Sequence, residues 1–496
     1  MHSNRLTARR VVRTSLLGAA AAATLTLAGC MSLAPNYTQP APSVPDTFPH
    51  ATSAAAAAAS GATAPLAEQK SIAKADAALV AADTPWQDYF ADANVRKLIG
   101  IALENNRDLR VSILNIEKAR ATYRVREAAE LPTIDAGGAG SVYRTPGAVT
   151  GGSPTITREY TATLGTTSYE LDLWGRVKNL SDAALASYLN TVEAKRAAQI
   201  TLVANVATAY LTWASDRALE ALANSTLESQ QASYDITKGS FDLGNASALD
   251  LKEAEQTVAS ARGDVARYAA QVGQDENALA LLLGAPVPAE LAPPAVVSSV
   301  TAARELAAGV PSTVLLRRPD VLEAEQTLRG ANADIGAARA AMFPTVTLTA
   351  AGGTASSGLS GLFKAGTGYW SFAPNISLPI FDGGSLRASL DAAKVTQKID
   401  IAQYQHTVQS AFKEVADALA TRATMQARRD AQKTLVDAAQ AAYDLSLARY
   451  RAGVDAYTTV LTNQRTLYTA QQDDITLQLA WQSNLVTLYQ VLGGGA

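Results

Sequence analysis

"ELDLWGR" occupies residues 170–176 and "SLPIFDGGSLR" residues 377–387. Each stretch leaves an alternating apolar segment, passes a glycine and enters a long polar-apolar run. The chain makes this transition twice, about 210 residues apart. Other segments keep the same step. "NRDLRVSILNIEKARATYRVREAAELPT" (106–133) matches "RPDVLEAEQTLRGANADIGAARAAMFPT" (318–345), and "YDITKGSFDLGNASALDL" (234–251) matches "YDLSLARYRAGVDAYTTV" (443–460). Leu283-Gly284 matches Leu492-Gly493. The offset stays between 209 and 212 residues, so the chain reads as a tandem duplication, with repeats at 86–300 and 301–496.

Both repeats have one internal order. A moderate helix ends at Leu-Pro or Phe-Pro, because proline disfavours helix in the residue before it. Two alternating segments follow, giving hairpins over 131–173 and 343–381. In "WSFAPNISLPI" (370–380), Trp370, Phe372, Pro374, Ile376, Leu378 and Ile380 fall on one face; Ser371, Ala373, Asn375 and Ser377 fall on the other. Tyr160, Ala162 and Leu164 likewise alternate with Thr161, Thr163 and Gly165. Loops rich in glycine, serine and threonine (144–157 and 355–368) join the strands, and aromatics such as Tyr143, Tyr169, Trp174, Tyr369 and Phe381 gather near their ends. This pattern suits a transmembrane hairpin; a soluble hairpin is the alternative the residues leave open.

Each hairpin leads into a long helical run. Residues 176 to 240 hold no proline and one glycine, Gly239, and residues 385 to 452 hold neither. Unbroken, each would extend roughly 100 Å. Small residues recur at helical spacing (Ala183, Ser187, Asn190, Ala194, Ala197, Thr201), which permits close helix approach. Short turns at "LGNAS" and "AGVDA" reverse the direction, so helical hairpins are expected over 176–283 and 385–492.

Four strands cannot close a barrel, and an open edge is not tolerated in lipid. Closed membrane barrels begin at about eight strands. Copies of the chain must therefore share strands. The expected fold is mainly α with four transmembrane β-strands per chain, and a homotrimer would form a 12-stranded β-barrel continuous with a periplasmic α-helical barrel.

The ends of the chain fit that compartment. Residues 1–29 carry Arg5, Arg9, Arg10 and Arg13, no acid, and a short apolar run before Leu27-Ala28-Gly29-Cys30. This is the anatomy of a secretory signal. The apolar run is too short for a span. Cys30 is the sole cysteine, which excludes an internal disulfide. Leu-Ala-Gly-Cys resembles the bacterial lipobox, which implies a covalent lipid on Cys30. Met31 in place of an aspartate favours the outer membrane. Residues 30–85, rich in proline and alanine, read as an extended tether. Without the signal, 38 basic residues face 45 acidic ones, so no nucleic-acid partner is expected.

The lipobox, "PWQDYFADANVRKLIGIALENNRDL" (85–109), the two helix-proline-strand units and the paired turns resemble the TolC-type outer membrane factors, in the lipidated NodT-type branch. The resemblance covers residues 27–494. It implies an exit duct in the outer membrane, working with a periplasmic adaptor and an inner-membrane transporter of the resistance-nodulation-division type. A duct for type I protein secretion is the related alternative, and a pore-free coiled-coil lipoprotein the unrelated one. The resemblance also implies that the helix reversals form a periplasmic tip that meets the adaptor, at Leu243, Gly244 and Asn245 and at Ala452, Gly453 and Val454. Glycine there also serves as an ordinary helix C-cap. By position, Tyr450 matches a family tyrosine that latches the closed tip, and Asp250 matches its carboxylate partner. The family latch arginine falls on Asp455, and the acidic ring of its best-known member falls on Thr459 and Thr462, so a strongly cation-selective tip is not expected.

No catalytic or metal set emerges, and no cofactor beyond the lipid is expected. His2, His50 and His406 stand apart, and Met1, Met31, Met342 and Met425 are too scattered for a soft-metal relay. "SIAK" (71–74) lacks the motifs that would make it a penicillin-binding signature. "GGAG" (137–140) falls in a predicted strand, not in a phosphate loop.

Overall fold

The computed structural model describes residues 32–48, 84–301 and 312–494. The signal, Cys30 and "SIAK" lie outside the described residues. After two short N-terminal segments the elements run α1 (Ala93–Asn105), α2 (Arg107–Ala128), β1 (Asp135–Thr145), β2 (Thr155–Leu171), α3 (Arg176–Asp242), α4 (Ala248–Leu283), α5 (Pro319–Ala340), β3 (Thr345–Ser356), β4 (Gly368–Ser377), α6 (Ser385–Arg451) and α7 (Tyr457–Val491). The duplication is explicit: α2 and α5 both have 22 residues, and α3 and α6 both have 67. Left-handed glycines mark the same three joints in each repeat, Gly175, Gly244 and Gly284 against Gly384, Gly453 and Gly493.

The chain forms two compact units. One holds Glu117–Asn190 and Ala324–Gln403 with the residues up to Pro40; the other holds Ala41–Ile116, Thr191–Glu323 and Tyr404–Ala496.

The first unit contains one antiparallel sheet of order β1-β2-β3-β4. Residues opposite one another in a ladder share a face. The register Trp370↔Gly352, Phe372↔Ala350, Pro374↔Leu348 and Ile376↔Val346 therefore places six apolar side chains and two small residues on one side. Leu164↔Gly352 and Tyr169↔Leu348 extend that side across β2. The opposite side carries Thr345, Thr347, Ser371, Asn375, Thr161 and Thr163. Among the described residues nothing covers this part of the apolar side: Trp370 is 80% exposed and Ile376 is 71% exposed.

A bulge keeps the apolar and polar faces apart at the base of β2. Between Thr166 and Tyr169 the β2–β3 register shifts. Ser168 takes a φ of 55° and its amide donates to Thr349 Oγ1 at 3.1 Å. The extra residue inverts parity along the strand. Without it, Ser168 and Glu170 would take the apolar positions that Tyr169 and Leu171 hold. With it, Glu170 faces the polar side and receives Arg176 in a two-pronged pair, Nε to Oε1 at 2.7 Å and Nη2 to Oε2 at 2.5 Å. That pair closes "ELDLWGR" over Gly175. The strands also approach closely here: a Cβ on Gly165 would lie 2.2 Å from the Ala350 carbonyl oxygen.

The exits from the sheet differ from expectation at one point. β4 ends at Ser377, so Leu378 and Ile380 lie beyond the strand. Pro379 has no amide hydrogen to continue a ladder. Aspartates then start the long helices. Asp172 Oδ2 accepts the Lys178 amide at 2.7 Å, and Asp382 accepts the amides of Gly384 and Leu386 at 3.0 and 2.6 Å. Those amides hold the Asp382 carboxyl below its ordinary value. Trp174 stacks on Phe343 with ring centroids 4.9 Å apart and donates to the Pro344 carbonyl at 2.8 Å. "GGAG" lies within β1.

The proline-rich stretch is not a free tether over its described part. Ser32 Oγ donates to Asn179 Oδ1 at 2.8 Å, while the carbonyls of Leu33 and Pro35 accept from Arg339 and Asn332 at 3.0 and 2.8 Å. Arg329 stacks over the Tyr37 ring at 4.8 Å. In the second unit Phe48 stacks on Phe412 at 4.9 Å. An extended proline-rich chain leaves its carbonyls free, and long side chains on α5 reach them.

In the second unit, equivalent positions tie the ends of each repeat by different chemistry. Asn106 caps α2 and donates to the Leu282 carbonyl at 2.8 Å. Its counterpart Arg318 donates to the Val491 carbonyl at 2.6 Å and pairs with Asp320 at 2.7 Å and Glu414 at 2.9 Å.

Deleting Ser168 should turn Glu170 toward the apolar side and abolish folded protein in the outer-membrane fraction; normal recovery would show that the bulge does not set the face. Arg318→Met should destabilise the protein by about 2 kcal/mol, since it removes a buried charge-assisted donor. Thermal unfolding at fixed detergent checks this.

Candidate functional site at the helix reversals

The reversals belong to the second unit. After α3, Gly244 takes a φ of 77°. Its amide donates to the Phe241 carbonyl at 2.9 Å, and the Asn245 amide reaches Ser240 at 2.8 Å. After α6, Gly453 takes 74°, with Tyr450 and Arg449 as the corresponding acceptors at 2.9 and 3.0 Å. Both turns thus use the left-handed glycine stop that non-glycine residues rarely adopt. They present Leu243, 78% exposed, and Val454, 62% exposed, at their crests. Asn245 and Ala452 are exposed beside them.

The helix that follows each turn starts differently. Ser247 caps α4: its hydroxyl oxygen accepts the Asp250 amide at 3.1 Å, and Asp250 Oδ2 accepts the Ser247 amide at 3.1 Å and hydroxyl at 2.8 Å. The cap position of α7 is Ala456, which offers no side-chain acceptor. An ion pair closes that turn instead. Arg449 Nε meets Asp455 Oδ2 at 2.6 Å, and Nη2 meets Oδ1 at 2.7 Å. These bonds hold the Asp455 carboxyl below its ordinary value. The clip therefore survives as pH falls through the usual aspartate range and is lost only below it.

Within the chain the expected Tyr450–Asp250 bond is not made. Asp250 is committed to its capping box, and the Tyr450 ring packs against Tyr457 at 5.2 Å. The four helices instead join through an apolar cluster. Ala254, Tyr457, Val460 and Leu461 are buried, with Tyr234, Tyr443, Leu447 and Tyr450 packed around them. Burial raises the Tyr457 phenol above its ordinary value. Ser229 bridges Tyr443 at 3.4 Å and Gln464 at 3.2 Å. Thr459 and Thr462 are exposed on α7, three residues apart and on one side. Asp455 is matched by Arg449, so the second turn carries no net charge from this pair.

Sequence reading missed two of these features. The Ser247-x-x-Asp250 spacing is a legible capping signature. Arg449 and Asp455 are six residues apart across a turn, which matches no helical spacing.

Among the described residues no group of three or more histidine, cysteine, aspartate or glutamate side chains could hold a metal. No described helix is long and apolar enough to cross a membrane.

The family model described as "Outer membrane efflux protein" matches residues 98–285 and 310–494. The chain belongs to the outer membrane efflux protein family. Among its relatives is a toluene efflux pump outer membrane protein, TtgC, of Pseudomonas putida, 46% identical over 84% of this chain and 86% of that one. The outer membrane protein OprJ of Pseudomonas aeruginosa is 41% identical over 95% of this chain and 94% of its own length. The open-state crystal structure of the MtrE outer membrane channel of Neisseria gonorrhoeae superposes with a TM-score of 0.79 at 37% identity, covering 94% of this chain and 98% of that one. Outer membrane efflux proteins of this kind place the chain in the outer membrane of a Gram-negative bacterium, with the fold of a channel rather than of an enzyme.

Arg449→Ala should speed amide exchange in the second turn, around Val454 and Asp455, by about twofold to fivefold, in line with an exposed ion pair. High salt should do the same to the wild type, and the Gly244 turn should not respond to either. Equal protection in variant and wild type would remove the clip from consideration.

Proposed function

We propose that three copies of this chain form the exit duct of a tripartite efflux pump. The observation that carries this is the sheet, which has one exposed apolar face, one polar face rich in threonine and serine with Asp135 and Glu159, and two outer edges on β1 and β4 unpaired among the described residues. Joining β4 of one copy to β1 of the next removes every edge. Three copies turn four strands into twelve, enough to close a barrel. Its polar lining suits passive passage of water and small solutes.

The partners follow from the same parts. The exposed apolar crests at Leu243 and Val454 and the flanking Gly244, Asn245, Ala452 and Gly453 suit docking of a periplasmic adaptor. Tyr450, Asp250, Asp455, Thr459 and Thr462 stand where a closing tip would gate, and a Tyr450–Asp250 bond would have to form across copies, in competition with the capping box of Asp250. An inner-membrane transporter of the resistance-nodulation-division type supplies the energy, since the chain itself has no nucleotide-binding motif. Cys30 carries the lipid anchor; Ser32, two residues on, is fastened to Asn179 near the start of α3. The relatives' names favour toluene-like solvents and antibiotics over secreted proteins as cargo.

A strain deleted for this chain should gain susceptibility to toluene and to several antibiotics, with the wild-type gene restoring resistance. The purified protein should run as a heat-modifiable trimer and conduct in planar bilayers. A monomer that leaves bilayers impermeable would overturn the proposal. Cys30→Ala should remove the lipid mass and lower outer-membrane recovery by about tenfold or less, because the barrel supplies the main membrane affinity.

A further inference from the structure

Two acids in the second unit are not accounted for by any ion pair. Asp216 lies on α3 within a largely buried stretch that includes Ile200, Tyr210, Leu211, Ala214 and Ala223. Asp216 itself is 7% exposed. Asp275 lies on α4, the helix returning from the first turn. The Oδ2 atoms of both carboxylates are buried, and neither accepts a bond from any N–H or ordinary O–H donor. Two bare carboxylates cannot face one another in such a place, because like charges in a low-dielectric site repel strongly.

No cation offsets them. Neither acid forms an ion pair among the described residues. Arg217, the neighbour of Asp216 on α3, donates instead to the Pro293 carbonyl. Arg96 and Lys97 on α1, which packs on α4, form no ion pair with Asp275. On α4 the adjoining Glu276 is exposed. The charge acting on Asp275 is that of Asp216, and burial and that neighbour together push the Asp275 carboxyl up to about 7. Asp216 is pushed up by burial as well. The Trp213 indole N–H, one turn before Asp216, is also buried without an acceptor.

We propose that Asp216 and Asp275 share one proton, and that this O–H···O bond is a pH-sensitive clasp between α3 and α4. A proton on either oxygen makes one acid a donor and the other its acceptor, which satisfies both buried atoms at once. Losing it leaves two charges in contact and drives the helices apart. The direction follows from linkage. The folded clasp holds a proton that the unfolded chain has already released above the ordinary aspartate value near 4. Stability therefore falls as pH rises from about 4 to about 7, by up to tenfold in the folding constant per pH unit, and levels off above. Carboxylates held below their ordinary values, such as Asp382 and Asp455, contribute with the opposite sign. The clasp does not depend on the tip or on the cargo.

The test uses the full-length protein in detergent. Infrared difference spectra between pH 5.5 and 8.5 should show one protonated carboxyl band that disappears with a midpoint near 7. Asp275→Asn should remove that band and flatten the fall in thermal midpoint over pH 5 to 7, because an amide donates at every pH. Asp216→Asn should do the same from the other side. Asp275→Ala separates this from simple packing: it should be less stable than Asp275→Asn at every pH. Absence of the band at pH 5.5, or a pH profile unchanged in both asparagine variants, would overturn the clasp. Conductance and efflux in the asparagine variants near pH 6 should match the wild type, so failure of the duct assignment would be seen separately.

Discussion

An exposed strand edge cannot exist in hydrocarbon, and this chain has two. Every backbone amide and carbonyl in the membrane needs a partner, because no water is present to supply one. Among the described residues β1 and β4 present unpaired rows, and the sheet buries neither face. The same sheet in water would expose Trp370, Phe372 and Ile376 to solvent with nothing gained. Pairing between copies answers both problems at once. It also explains why the bulge at Ser168 matters, since a closed barrel requires each strand to keep one face toward lipid along its whole length. A single extra residue restores that parity where the apolar pattern changes phase.

The duplicated halves show what is held fixed and what is free to vary. Left-handed glycines occur at the same three joints in both halves. The groups that secure those joints do not match. Asn106 and Arg318 occupy equivalent positions and both reach a carbonyl near the end of the returning helix, one as a neutral amide and one as a buried guanidinium. Ser247 with Asp250 closes one reversal, and Arg449 with Asp455 closes the other. The constraint is on where the backbone turns. Many side chains can hold a turn once glycine has made it, whereas few residues can replace glycine at positive φ.

Much of this architecture was legible because it rests on periodicity. Alternation in "WSFAPNISLPI" and "EYTATL" placed the strand faces, and proline-free runs placed α3 and α6. The internal repeat showed that one arrangement had to serve twice. Three features were not legible for a common reason: each depends on which groups become neighbours in space. The bulge requires knowing that β2 pairs with β3, whose partners lie far apart in the chain. The strap from Ser32 to Gln39 looked like a spacer because proline-rich composition reports only that no helix forms, not where the extended chain lies. Tyr450 and Asp250 were linked by position in a family pattern, yet within one chain local bonds claimed the carboxylate first. A capping box closes over three residues at almost no entropic cost, so it outcompetes a distant partner unless that partner arrives from another copy.

The distribution of charge then separates the chain's two tasks. Along the polar side of the sheet most side chains on β3 and β4 are hydroxyls with one amide, β1 and β2 add Asp135 and Glu159, and the acid at its end, Glu170, is matched by Arg176. At the second reversal Asp455 is matched by Arg449. A lining made mostly of small polar side chains lets chemically different solutes pass, but it does no work on any of them. Selection and energy must therefore enter elsewhere, at the transporter that loads the duct. What the chain contributes is the path itself. Asp216 and Asp275 sit inside the helical body rather than along the polar side of the sheet. There, a shared proton alters how firmly two helices hold together without altering what the duct lets through.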